Sequence, residues 1–350
     1  MKRSKLQIAI IGCGAVTENV HLPALDKIGQ RPALLVDTNL SRAEALATRF
    51  KVARFSEDYM AEWGKFDAAI VALPHHLHAS VSMELLRHGV HVLVEKPMAM
   101  TLAECRDMIA AAKEVPSTLA VGLSRRFLPA ANWVKAALSA NVLGEIESFD
   151  FREGMVYNWP VASDFMFRKA SGGGVLWDSG VHTLDLLLWW LGDVTDFTYR
   201  ADSQGGVEAD CEINMTLASG AKGFVVLSRL RKLRNTAIIK GSKGQIEVSL
   251  FGNRVWADPS DLLKFRAGNL IGTHLRVRDK DKISTLQLQD WLGAAATGNE
   301  PSMSGEQGAK SIALIEALSD RRQPLQVTSM LHFLSMSLPK SLFVRRSLPQ

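Results

Sequence analysis

A buried strand that stops at a glycine turn and continues as a helix leaves a chain few folds to choose from, and this chain opens with one. Gln7 to Ile11 reads as the strand and runs directly into Gly12-Cys13-Gly14; Val16, Val20 and Leu25 then fall near helical spacing. Glycines at such a turn let backbone approach a phosphate, and the helix start offers unpaired N–H groups and the positive end of its dipole. Together they form an arrangement that binds a dinucleotide, with Gly12, Gly14, Ala15 and Val16 as contacting residues. Thr17 stands where a third glycine would pack helix on strand, so the fingerprint is incomplete. A second strand, Ala33 to Val36, ends on Asp37, about 20 residues beyond the glycines. A carboxylate there accepts hydrogen bonds from an adenosine ribose and repels a 2′-phosphate, which favours NAD over NADP. Arg42 follows closely enough to meet a 2′-phosphate, which keeps NADP open.

The rhythm then repeats. Ser41 to Phe50 predicts a helix and Phe66 to Leu73 an apolar strand, followed by Pro74-His75-His76-Leu77-His78. Three histidines so close suggest metal, but no carboxylate accompanies them and the reading is no metal site. Pro74 and His75 are expected to line the nicotinamide end of a cofactor cleft, with His78 beside them starting the helix Ala79 to His88. Next comes His91 to Pro97, HVLVEKP: an apolar strand that delivers Glu95 and Lys96 at its C-terminal end. In open α/β sheets ligands bind at that end. A helix from Thr101 to Lys113, with Thr101 and Glu104 in capping-box spacing, and a strand Leu119 to Gly122 complete the series. Strand and helix alternating in this way predict a doubly wound parallel sheet, with a first domain over 1–123.

From 124 to 326 short strands dominate, several alternating apolar and polar residues, which predicts a second domain built on an open, mostly antiparallel sheet closed by two helices near Ser284 to Thr297 and Gly305 to Arg321. The basic clusters Arg229-Arg231-Lys232-Arg234 and Arg276-Arg278-Lys280-Lys282 read first as solvated strand faces and second as a field that favours anionic substrates or cofactor phosphates. Residues 327–350 form an apolar and basic tail without clear period. Inserted in the sheet is Ser171 to Gly192, where Gly172-Gly173-Gly174 permit close backbone approach to a ligand. The helix that follows puts Asp178 and His182 at i and i+4, a carboxylate beside an imidazole suited to general acid/base work. Tyr157 and Trp159, just upstream, could stack on a sugar ring or serve as core aromatics. Three dispersed cysteines suggest neither disulfides nor zinc and point to a reducing cytoplasm. The N-terminal MKRSK and apolar run imitate a signal peptide, but the run is too short and is read as the first strand. No stretch suits a membrane span, and a net charge of +5 without aromatic-interleaved basic motifs argues against nucleic acid.

These segments resemble the family of glucose-fructose oxidoreductase, inositol 2-dehydrogenase and MocA: GCGAV with His21 after it, VALPHHLHA, HVLVEKPMAMTLAEC, VGLSRRF, LGEIESF, FRKASGGGVLWDSGVHTLDLLLWWLG and NEPSMSGEQGAKSIALIEAL. The resemblance implies an N-terminal Rossmann domain, a C-terminal α/β domain whose open sheet builds dimers or tetramers, and an NAD(P)-dependent dehydrogenase. It also implies that Lys96, Asp178 and His182 are catalytic and meet across an interdomain cleft, with Arg126 and Arg168 binding polar groups of a small, carbohydrate-like substrate. The sequence departs from the family at Thr17 and at His75, where many relatives carry asparagine. Two rival readings stay open. One is a reductase of a nonsugar carbonyl or unsaturated ring, and the other a regulatory protein that binds NAD(P) without catalysis.

Overall fold

The computed structural model describes residues 6–160, 164–202, 206–272 and 281–325 of the chain. The first half builds a parallel sheet from β1 (Ile8–Ile11), β2 (Leu34–Val36), β3 (Phe55–Ser56), β4 (Ala68–Val71), β5 (His91–Val94) and β6 (Leu119–Val121). Its order is β3-β2-β1-β4-β5-β6, and every pairing is parallel. All residues of β1, β2, β4 and β6 are buried. Helices cover both faces of such a sheet, which is why these strands read as continuous apolar runs. The order reverses between β1 and β4, so a crevice opens beyond their C-terminal ends, with the end of β5 beside it.

Connecting helices are α1 (Leu22–Lys27), α2 (Leu40–Phe50), α3 (His78–Arg87) and α4 (Leu102–Glu114), and α5 (Pro129–Ser139) follows β6. A π-helical turn, Thr17–His21, runs into α1. The capping box of α4 has both legs: the Glu104 N–H donates to Thr101 Oγ1 at 3.1 Å, and the Thr101 N–H donates to Glu104 Oε2 at 3.0 Å. That pair fixes where α4 begins, and so fixes the exit of the loop that follows Lys96.

The second half forms an eight-stranded sheet from β7 (Ile146–Gly154), β8 (Val194–Ala201), β9 (Asp210–Leu217), β10 (Lys222–Ser228), β11 (Thr236–Gly241), β12 (Gly244–Ser249), β13 (Val255–Asp258) and, after a short hairpin of β14 (Arg266–Ala267) and β15 (Leu270–Ile271), β16 (Arg322–Pro324). The order is β13-β12-β11-β7-β10-β9-β8-β16, antiparallel except at β7–β10 and β8–β16. One face is packed by α6 (Val181–Leu191), where Phe151 meets Trp190 at 5.9 Å between ring centroids. The opposite face presents Ser148, Asp150, Thr198, Asn214 and Thr216 to an open hollow. Among the described residues no helix is long and apolar enough to cross a membrane.

The two closing helices do not simply finish the second domain. In α7 (Asp281–Thr297), Leu288 and Trp291 are buried in the cluster that contains Ile8, Ile10 and Leu25 of the first sheet and α1. Gln287 donates to the Val121 carbonyl at 3.0 Å. In α8 (Gly305–Asp320), a side chain at Gly308 would meet Val121 at 2.6 Å, so the helix lies directly on β6. The returning helices thus tie the two sheets together at the β6 edge of the first. The tail 327–350 and the run Arg276, Arg278 and Lys280 lie outside the described residues, as does the side chain of Lys282.

Candidate active site between the two sheets

At the end of β1, Gly12 has φ +99°, and a Cβ there would lie 2.2 Å from the Ala72 carbonyl oxygen. Only glycine lets the ends of β1 and β4 approach so closely. Gly14 faces open space, with nothing within 4 Å of where its Cβ would be, and Ala15 and Val16 are half-buried beside it. Thr17 is fully buried, and its hydroxyl donates to the Gly12 carbonyl at 2.5 Å. The residue that breaks the glycine fingerprint therefore satisfies its own polar group inside the turn, and the helix starts with a wide π turn around it. Asp37 Oδ2 accepts the Cys13 N–H at 2.7 Å, and Oδ1 accepts the Asn39 N–H at 2.8 Å. The carboxylate is thus tied to the glycine loop at the end of β2, where a ribose would lie. A cradle of this shape, with an open glycine, a helix start and a positioned carboxylate, fits a dinucleotide.

Arg42 does not stand ready for a 2′-phosphate. Its Nε donates to the Cys13 carbonyl, and its Nη2 lies 3.3 Å from Glu18, which also pairs with Arg49 at 2.5 Å. Burial, with Asp37 adding to it, pushes the Cys13 thiol up to about 12, so it stays an unreactive thiol.

The loops after β4 and β5 are fastened by histidines. His78 is fully buried, with Nδ1 2.7 Å from the Pro97 carbonyl and Nε2 2.8 Å from the Leu73 carbonyl. Expected at the cofactor, it instead bridges the two loops. His75 Nδ1 donates to the Gly172 carbonyl at 2.9 Å, joining the first sheet's loop to the glycine run of the second half, while Pro74 stays half-buried beside it. Burial, then the neighbouring His78 and Lys96, hold His75 down at about 3, so the ring is neutral at ordinary pH. Among the described residues no group of histidine, cysteine or carboxylate side chains is arranged for a metal. Glu95 accepts from His21 Nε2 at 2.8 Å; burial alone would raise its carboxyl, but His21 and Lys96 hold it below its usual value.

Lys96 crosses to the other half. Its ammonium donates to Asp178 Oδ1 at 2.7 Å and to the Asp178 carbonyl at 3.0 Å. The other oxygen of Asp178 faces Arg229 Nη2 at 3.2 Å. Burial would raise the Asp178 carboxyl, but Lys96 and Arg229 outweigh it and bring it down to about 2. Asp178 is therefore a fixed anion between two cations. The spacing-based pairing with His182 does not form: no hydrogen bond joins the two among the described residues, because the carboxylate turns to the cations. Among the described residues His182 Nδ1 is buried without a partner. Burial, then Arg125 and Lys96, hold His182 well below its usual value.

The glycine run was expected to admit a ligand, yet each glycine is met by protein. Side chains would strike Met100 Sδ at 2.7 Å from Gly172, the Met166 carbonyl at 2.6 Å from Gly173, and the Glu208 carboxylate at 2.2 Å from Gly174. The two arginines expected at the substrate are each paired with a carboxylate of the chain. Arg126 is buried in a two-pronged pair with Asp185, at 2.6 and 2.9 Å, and reaches Gln307 at 3.1 Å. Arg168 is exposed and pairs with Asp164 at 2.6 Å. The arginine at the site is Arg229, expected on a solvated strand; β10 ends at Ser228, and the chain turns Arg229 inward, 7% exposed, over the Tyr157 ring at 4.9 Å. Tyr157 is thus a platform for Arg229, while Trp159 is exposed.

Residues 6–123 match the family model described as oxidoreductase family, NAD-binding Rossmann fold, and residues 132–247 match that of the GFO/IDH/MocA C-terminal domain. The chain is similar to D-glucoside 3-dehydrogenase of Escherichia coli, 33% identical over 198 residues, which is 55% of this chain and 56% of that enzyme. It is 26% identical to D-apiose dehydrogenase of Rhizobium rhizogenes over 332 residues, 91% of this chain and 95% of that one. Its fold is that of the WlbA dehydrogenase from Bordetella pertussis, solved with NADH and UDP-GlcNAcA: TM-score 0.79 at 22% identity, covering 92% of this chain and 96% of that one. With both halves matched, the chain belongs to the Gfo/Idh/MocA family of NAD-binding oxidoreductases.

Proposed function

We propose that the protein transfers hydride between C4 of a nicotinamide and a hydroxyl-bearing carbon of a sugar, cyclitol or sugar derivative, with Lys96, Asp178 and His182 as its catalytic residues. The observation that carries this reading is the ion pair between Lys96, at the end of β5, and Asp178, 82 positions later, beside a neutral His182. NAD, when bound, supplies the redox chemistry. Lys96 has one N–H left after its two bonds to Asp178, and that donor polarises the reacting oxygen and stabilises the charge that develops on it. His182 Nε2 takes the hydroxyl proton in oxidation and returns it in reduction. Asp178 holds Lys96 in place and neutralises part of the cationic charge. The names of the relatives, acting on a glucoside and on apiose, support a carbohydrate-like substrate. Asp37, with Arg42 drawn to Glu18, favours NAD over NADP.

The open face of the second sheet supports pairing of copies into a homodimer or homotetramer, and three buried free cysteines suit a cytoplasmic setting. The direct test is incubation with NAD and a panel of inositols, pentoses and methyl glucosides, read by the absorbance of reduced cofactor. Reduction with at least one polyol is expected. Turnover only with nonsugar ketones or unsaturated rings would favour a different reductase. NADH binding without any turnover would favour a regulatory role.

A further inference from the structure

Glu208 is a buried carboxylate, 8% exposed, that the chemistry above does not use. It lies at the start of the helix that carries Asp178 and His182. Its Oε1 accepts the Leu176 N–H at 3.0 Å, and its main-chain carbonyl accepts the Val175 N–H at 2.9 Å. One residue on, the Ala209 carbonyl accepts the Arg229 N–H at 2.7 Å. Two adjacent residues therefore hold both the helix bearing Asp178 and the turn bearing Arg229, which are the two sides of one ion pair. The segment is itself fastened, since Asp202 Oδ1 accepts from Ala209 N at 2.7 Å and Asp210 N at 3.1 Å. Gly174 completes the fit, because a Cβ there would lie 2.2 Å from Glu208 Oε1. Burial raises the Glu208 carboxyl, opposed by its hydrogen bonds and by Arg322 and Arg229.

We propose that Glu208 is a positioning residue for the active site: its carboxylate serves as the anion at the head of the Asp178 helix and sets where Asp178 stands relative to Lys96 and Arg229. A negative charge is favoured at a helix start, and a charge-assisted bond to a backbone N–H holds more firmly than a neutral one. The inference rests on the reading that Lys96 and Asp178 act at the reacting carbon, so the test includes a readout that needs no substrate.

Hydrogen exchange of the full chain, followed by mass spectrometry, is compared for wild type, Glu208→Ala and Glu208→Gln. Glu208→Ala should raise exchange in the peptide covering 174–182 by ~10-fold or more while peptides of β1, β4 and β5 stay unchanged. Glu208→Gln, whose amide oxygen can still accept from Leu176, should restore most of the protection. Methyl β-D-glucoside and myo-inositol serve as the turnover probes, whichever is oxidised. There Glu208→Ala should cost ~100-fold in kcat with little change in NADH affinity, and Glu208→Gln should recover to within ~5-fold of wild type. Gly174→Ala, whose Cβ would displace the Glu208 carboxylate, should reproduce the local loss of protection with Glu208 itself unsubstituted. Exchange that rises equally across the chain, or local protection unchanged in Glu208→Ala, would overturn the proposal. Local loss in Glu208→Ala with no turnover even in wild type would leave the positioning intact and count against the functional reading instead.

Discussion

The molecule uses one local device twice, and the two uses differ in what fills them. Gly12-Cys13-Gly14 and Gly172-Gly173-Gly174 each lead into a π-helical turn that continues as an α-helix. Each contains a glycine at positive φ, +99° at Gly12 and +115° at Gly174. At the first turn Gly14 looks into open space. At the second the corresponding room is taken by the Glu208 carboxylate. A helix start attracts an anion in both places. Where the chain leaves the position open, it can be met by the phosphate of a ligand; where the chain supplies its own carboxylate, the helix is fixed in advance and its side chains are aimed. The first turn is built to bind and the second to hold.

Substitutions at the two turns should separate these roles. The largest effect is expected from Gly12→Ala, which drives a Cβ into the Ala72 carbonyl at positive φ. It should cost about 3 kcal/mol or more of stability, read as a lowered urea midpoint. An effect that is confined to acid pH is expected where His75 braces the second turn through the Gly172 carbonyl. Its pKa in the fold is about 3, below the unfolded value of about 6.5. The unfolded chain therefore binds a proton that the folded one refuses as pH falls from 6.5 toward 3, and stability falls with it. His75→Asn should make the stability-pH slope shallower there by about 1.4 kcal/mol per pH unit, measured by denaturant unfolding across that range. An unchanged slope would mean the ring is not buried as neutral imidazole. The smallest stability effect belongs to Gly14→Ala, which meets nothing: the melting temperature should stay within ~1 °C while NADH binding weakens measurably, and an equal loss of both would erase the contrast between the turns.

Much of this arrangement is legible in the sequence, and the gaps have physical causes. Continuous apolar strands alternating with helices fix a parallel sheet, and a strand that stops on Glu95-Lys96 places charge at the ligand end of it. Asp178 is recognisable because a helix follows the glycines. Its partner Lys96 is reached through the family resemblance and not through spacing, since helical spacing sees only the neighbour at i+4, and a cation 82 positions away binds a carboxylate more strongly than a buried neutral imidazole does. Arg229 was hidden by alternation: Arg229 and Arg231 look like one face of a strand unless it is known that β10 ends at Ser228. Arg126 was implied as a substrate contact by the family resemblance alone, but Asp185 takes it into the core. The three glycines at 172–174 announced a close approach, and only the fold says that the approaching atoms belong to Met100, Met166 and Glu208.

The central claim is that Lys96 acts on the reacting oxygen. The most direct measurement pairs steady-state turnover of Lys96→Ala, on whichever polyol the wild type oxidises, with NADH affinity from fluorescence titration. Turnover lower by ~100-fold or more, with NADH affinity nearly unchanged, is the expected result. Turnover within ~3-fold of wild type would contradict the assignment and move the chemistry away from this cleft.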